Sequence, residues 1–301
     1  MSTALYALGY TVFILGIITL FLFAKRRARQ DRAPFPENTR LLRGPGESLR
    51  RKVAELDEKL IDEALYALLF PAVGLGTFFY LATQVDGPAA LALACLGVLA
   101  LCTLLYLCAR RIHAVLERRR NTALGAFGER IVAEHLEPLK QTGHHVFHDV
   151  PARDPATGSA IAPFNLDHVV VGPAGVFAIE TKTRRKGRAR VGFMAHEIIY
   201  DGRALAYPWG EDQHGLEQAR RQAEWLEAFL TRRLGRAVPV RPLLVFPGWM
   251  IIRKGRGAVN VLNPRELVPA IAPAAASPAL DPDTIDLVSR QLDSLARDVD
   301  L

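Results

Sequence analysis

The sequence predicts a mixed α/β (α+β) domain, its helices packed on a mixed sheet, carried behind three membrane-spanning helices. Three observations support this. Before residue 110 the chain holds three apolar runs that are almost free of charge. After residue 120, two helix-periodic stretches bracket a series of short strand-like segments. Between those helices two apolar runs are joined by Gly172, Pro173, Ala174 and Gly175, a turn-forming connection that folds them back as an antiparallel hairpin.

The first apolar run, "ALYALGYTVFILGIITLFLFA" at residues 4–24, is long enough to cross a bilayer. A cleaved signal peptide begins with basic residues, whereas here "KRRAR" follows the apolar stretch, so residues 1–24 are read as an uncleaved anchor. Residues 25–62 are rich in Pro, Gly and charge and turn helical toward Leu60, which reads as a basic cytoplasmic linker. Residues 63–109 contain two further apolar runs separated only by Asp86 and Gly87, a helical hairpin in the membrane; Pro71 is tolerable there because neighbouring helices satisfy freed backbone groups.

Eleven Lys and Arg residues lie between the first and second runs, none between the second and third, and "RRIHAVLERRR" follows the third. Basic flanks stay on the cytoplasmic side. The expected arrangement is an integral protein of the plasma (inner) membrane with its amino terminus outside and its carboxy-terminal domain in the cytoplasm. The basic juxtamembrane stretch 110–121 is assigned to topology and to contact with anionic lipids. Cys95, Cys102 and Cys108 all fall in the third run, which leaves the rest of the chain without a disulfide framework or a cysteine metal cluster.

The large domain is placed at 122–272. Asn121 or Thr122 is expected to cap a helix with Phe127, Ile131, Val132 and Leu136 on one stripe, ending near Pro138, and Glu129 lies beside that stripe. Then come the alternating "HHVFHDV", a loop, the hairpin and a basic connection. A second amphipathic helix carries Leu216, Ala219, Ala223, Leu226 and Leu230. "RPLLVFP" and "AVNVL" read as buried strands. Residues 273–301 form a linker and a last helix started by Asp281 and Pro282.

Counting back from the hairpin turn, Val171 faces Val176, His168 faces Ile179 and Asp167 faces Glu180. Like charges directly opposed on one face repel, so something positive is expected between them. Lys182 projects from the same face as Glu180 because strand side chains repeat with period two. Two carboxylates with waters and substrate phosphates form a hard-oxygen site for Mg²⁺ or Mn²⁺. Lys182 is positioned to orient water or to stabilise charge on phosphorus, and Glu129 can supply a third acid. The bland alternative is a solvated surface pair. Arg184, Arg185, Lys186, Arg188 and Arg190 follow at once, as a nucleic-acid contact surface, a solvated basic loop or a lipid contact. His144 and His148 share a strand face that His145 does not, which argues against a zinc site.

"GAFGERIVAEHL", "NLDHVVVGPAGVFAIETKTRRKG" and "GLEQARRQAEWL" together resemble the nuclease-related domain, NERD, of the PD-(D/E)XK nuclease superfamily, over residues 122–235. The resemblance implies a nuclease-like core in the order αβββαβ. It implies a catalytic set of Glu129, Asp167, Glu180, Lys182 and Gln218, with Asp167 and Glu180 as metal ligands. Gln222, one turn from Gln218 on the same helix face, competes with it for that role. The function expected from residues and resemblance is a membrane-anchored, cytoplasm-facing, Mg²⁺-dependent nuclease acting on nucleic acid, with DNA the favoured substrate. The alternative is a catalytically silent nucleic-acid-binding or scaffolding module tethered to the membrane.

Overall fold

The computed structural model describes residues 40–153, 160–272 and 280–299, together with seven positions between 9 and 23. In chain order the elements are β1 (Leu41–Leu42), α1 (Glu47–Ala82), α2 (Pro88–Lys140), β2 (His145–Arg153), β3 (Ala160–Gly172), β4 (Gly175–Thr181), β5 (Glu197–Tyr200), β6 (Leu205–Tyr207), β7 (Gly210–Asp212), α3 (His214–Leu234), β8 (Val240–Val245), β9 (Met250–Arg253), β10 (Asn260–Leu262), α4 (Leu267–Ile271), α5 (Pro282–Ala296) and β11 (Arg297–Val299). The chain divides into two compact units. One holds residues 52–121 with the amino-terminal stretch, and the other holds 38–51 with 122–300.

In the first unit, α1 and α2 are each long and apolar enough to cross a membrane, and their apolar stretches are mostly exposed. Two candidate spans are therefore found among the described residues where three were expected, because most of 4–24 lies outside those residues. Within this unit Phe78 packs where a Cβ on Gly97 would sit, and Arg119 pairs with Asp57 through two nitrogens. The expected helix start at Asn121 or Thr122 is absent, since α2 runs unbroken to Lys140. The stretch "RRIHAVLERRRNTAL" consists largely of good helix formers and contains neither Gly nor Pro, so nothing in it stops a helix already under way.

The second unit is built on a five-stranded mixed sheet in the order β10-β8-β4-β3-β2. β3 is antiparallel to β2 and β4, while β4 is parallel to β8 and β8 to β10. Strand alternation sends Val176 and Ala178 to one face and Phe177 and Ile179 to the other. On the first face lie Ala223, Leu226 and Leu230 of α3 and Val288, Leu292 and Leu295 of α5. Val132, Leu136 and Leu139 of α2, with Leu267 and Ile271 of α4, cover the second. Each fully buried Leu or Val contributes about 1.5–3 kcal/mol relative to exposure, so the two layers fix where α2 and α3 sit against β4.

The helix ends follow local chemistry. Asp281 accepts from the Thr284 N–H at 2.8 Å with Pro282 in the first turn, as its sequence predicts. Gly235 closes α3 in the left-handed region. A second, four-stranded sheet in the order β7-β6-β5-β9 packs Ile198, Leu205 and Ile251 with Leu216 of α3 and Leu244 of β8. Its strands β5 to β7 lie between β4 and α3 and β9 follows β8, so the order helix, three strands, helix, strand is interrupted by β5 to β7.

Candidate active site

The hairpin has the register that its turn dictates: Gly172 pairs with Gly175, Val171 with Val176, Val170 with Phe177, Val169 with Ala178 and His168 with Ile179. The ladder ends there, one residue short of the expected Asp167–Glu180 pair. Beyond it the Thr181 N–H donates to Asp167 Oδ2 at 2.7 Å. The Asp167 carboxylate thus takes a backbone donor that a continued ladder would have used, and the strands part where the acids begin.

Glu180 lies in the central strand, 2% exposed, a costly place for a carboxylate unless donors surround it. Lys182 Nζ lies 2.6 Å from its Oε1, and Gln222 Nε2 donates to its Oε2 at 2.6 Å. Lys182 Nζ also donates to Gln218 Oε1 at 2.7 Å. The two glutamines, one turn apart on α3, therefore divide the work, Gln218 holding the lysine and Gln222 the acid. The sequence offers them as alternatives, and in the structure both contact the acid–lysine pair.

Glu129 arrives from α2. Close approach is possible because position 128 is Gly: a Cβ there would sit 1.8 Å from Thr183 Oγ1, just past Lys182. Glu129 is 6% exposed and its Oε2 has no hydrogen-bond partner. Burial, then the charges of Asp149 and Glu180, push it up to about 8, against a lowering pull from the Gly46 backbone and Lys182. Asp167 keeps some access to solvent. Enclosure and the charges of Glu180 and Glu129 nonetheless hold it well above the usual carboxylate range.

Glu129, Asp167, Glu180, Lys182 and Gln218 are thus brought together. The basic residues 184–190 lie in an exposed, irregular connection after β4. Arg184 pairs with Asp212 at 3.2 Å, Lys186 sits 5.7 Å from the centre of the Trp249 ring and Arg190 lies over Phe193. Trp249 is buried and donates to the Arg184 carbonyl, so it anchors this connection to the second sheet. Of His144, His145 and His148, His148 meets His168 through their Nδ1 atoms at 2.8 Å, inside the fold. Burial pushes His148 down to about 4, so the pair is neutral and one ring donates to the other.

Residues 124–247 match the family model of the nuclease-related domain. The chain carries a NERD domain. No curated protein and no solved structure matches it. The matched segment runs from the last third of α2 to just past β8 and contains every acid, lysine and glutamine of the site.

The donor chemistry around Asp167 and Glu180 bears on a divalent cation. Among the described residues no three His, Cys, Asp or Glu side chains are grouped to hold a metal ion alone. Asp167 and Glu180 still offer hard oxygens, and burial, then the charges of Glu180 and Glu129, raise the proton affinity of Asp167; a cation would relieve the charge part of this. The Glu129 carboxyl, whose Oε2 has no partner, lies beside Glu180. This set fits an oxygen-seeking cation that keeps most of its waters. Two residues that sequence reasoning did not single out belong to the surroundings: Asp149, whose charge acts on Glu129, and Asn165, whose carbonyl accepts from Gln222 at 3.2 Å. The only sequence signal for Asp149 is a charge at the end of an alternating strand.

Proposed function

We propose that this protein is a membrane-anchored nuclease hydrolysing phosphodiester bonds, with DNA as its substrate, at a site where Asp167 and Glu180 hold Mg²⁺ or Mn²⁺. The observation that carries the reading is the cluster of Glu129, Asp167 and Glu180, with Lys182 paired to Glu180, inside a segment that matches a nuclease-related family. When bound, the cation supplies Lewis-acid polarisation of a phosphoryl oxygen and a more acidic water. The chain's own residues do the rest. Gln222 fixes Glu180, and Gln218 and Glu180 together fix Lys182 Nζ so that its one remaining N–H is left for developing charge. Glu129, protonated near neutrality, offers an O–H donor beside Glu180. Arg184, Arg185, Lys186, Arg188 and Arg190 guide the phosphate backbone past Lys182. The apolar helices anchor the domain, with the basic flanks and the NERD domain on the cytoplasmic face and in contact with anionic lipid.

One observation favours a second reading, a nucleic-acid-binding scaffold without turnover: both oxygens of Glu180 already have protein partners. The full chain, purified in detergent, separates the two by cleavage of linear, circular, single-stranded and duplex substrates with and without millimolar Mg²⁺. The nuclease reading expects Mg²⁺-dependent cleavage that Asp167→Ala and Glu180→Ala each abolish. Binding without cleavage selects the scaffold. Equal cleavage by parent and double variant places the activity elsewhere.

A further inference from the structure

Residues 41–48, just before α1 and in its first turn, pack onto the domain. β1 pairs with β11 at the far end of the chain, Leu41 against Val299 and Leu42 against Arg297. Arg43 then reaches Asp298 at 2.5 Å and Asp149 Oδ2 at 3.1 Å. Ser48 donates twice to Asp149, from its N–H to Oδ2 and from its Oγ to Oδ1, each at 2.7 Å. Asp149 is 2% exposed and has a φ of 49°, a backbone state that a residue with a side chain enters only when its surroundings impose it.

From Asp149 the hydrogen bonds run into the site. Asn165 Nδ2 donates to Asp149 Oδ1 at 2.8 Å, and the Asn165 carbonyl accepts from Gln222, whose Nε2 also holds Glu180. On the other side Gly46, at φ 69°, lies so close to α2 that a Cβ would be 3.2 Å from Ala126 Cα. Ala126 is one turn before Glu129 on the same helix face. Leu49 fills the equivalent space over Gly125.

We infer that residues 43–48 are a positioning clasp of the active site, setting Glu129 through the close approach of Gly46 to α2 and Glu180 through Asp149, Asn165 and Gln222. Its catalytic consequence rests on the nuclease reading above, but its structural claim does not. A buried hydrogen-bonded relay of this kind fixes side chains to the tolerance that catalysis needs, and loosening it by a fraction of an ångström lowers turnover before it unfolds the fold. The clasp lies outside the segment that matches the family, so a fragment beginning at residue 121 would lack it.

The test uses the full chain in detergent, with Gly46→Ala, Ser48→Ala and the conservative Ser48→Thr. Gly46→Ala and Ser48→Ala are expected to lower kcat by about 10-fold or more at nearly unchanged KM, while Ser48→Thr stays close to the parent. Hydrogen exchange, which needs no activity, is expected to rise selectively in peptides covering 126–131 and 179–183. Exchange unchanged there, exchange rising uniformly across the unit in step with a fall in stability, or a fall in kcat without the local change would each overturn the clasp. If the parent cleaves nothing, the nuclease reading fails, and the exchange pattern alone still decides the clasp.

Discussion

Glu180 and Glu129 meet the same problem, a carboxylate enclosed by protein, in opposite ways. Glu180 has a donor on each oxygen, whereas Glu129 has an unpartnered Oε2 and answers by holding its proton up to about pH 8. That difference has a measurable sign. A carboxyl whose folded value is raised contributes stability that is fully present below its ordinary value of 4.5 and is lost as pH rises through about 8. Glu129→Gln cannot titrate and escapes that loss. In metal-free buffer its unfolding temperature should therefore gain on the parent between pH 5 and pH 8, by on the order of 5 °C. A difference that stays constant with pH would mean that Glu129 is not held protonated. The His148–His168 pair works the other way: His148, held down to about 4, loses stability as pH falls from 6.5 toward 4, which is why the comparison is made against a single variant.

At the scale of elements, the site is a meeting of β3, β4, α2 and α3, and each was legible to a different degree. The hairpin could be read because a glycine-bounded turn fixes register, and register fixes which residues share a face. The buried stripe of α3 was equally plain. The role of Gln222 could not be separated from that of Gln218, since the choice depends on how α3 rotates over β4. The second sheet was hard to see because its strands run to only three or four residues each, too short for alternation to declare itself. Asp149 and Ser48 were invisible as partners because they lie 101 residues apart and meet only through tertiary packing. The basic connection after β4 carries a prediction of its own. Arg184, Arg185 and Lys186 changed together to alanine should weaken nucleic-acid binding and flatten its salt dependence, by roughly one in the log–log slope for each phosphate that is no longer neutralised. An unchanged slope would leave these residues as a solvated loop with no part in binding.

Across the whole molecule, the charge pattern and the fold make one proposal: a domain that engages a polyanion, tethered at the membrane surface where its basic flanks point inward. A reporter active only outside the cytoplasm should function when fused near Asp86 and fail when fused after Arg120, and the reverse pattern would overturn the topology. The central claim is narrower, that Asp167 and Glu180 share a divalent cation which Lys182 adjoins without ligating. Calorimetric titration of the full chain with Mg²⁺ or Mn²⁺ tests this without any substrate. The parent and Lys182→Ala should both bind, with turnover in Lys182→Ala reduced by about 10², while Asp167→Ala and Glu180→Ala should show no binding in the millimolar range. Binding by Asp167→Ala as tight as the parent's, or a parent that takes up no cation at millimolar concentration, would contradict it.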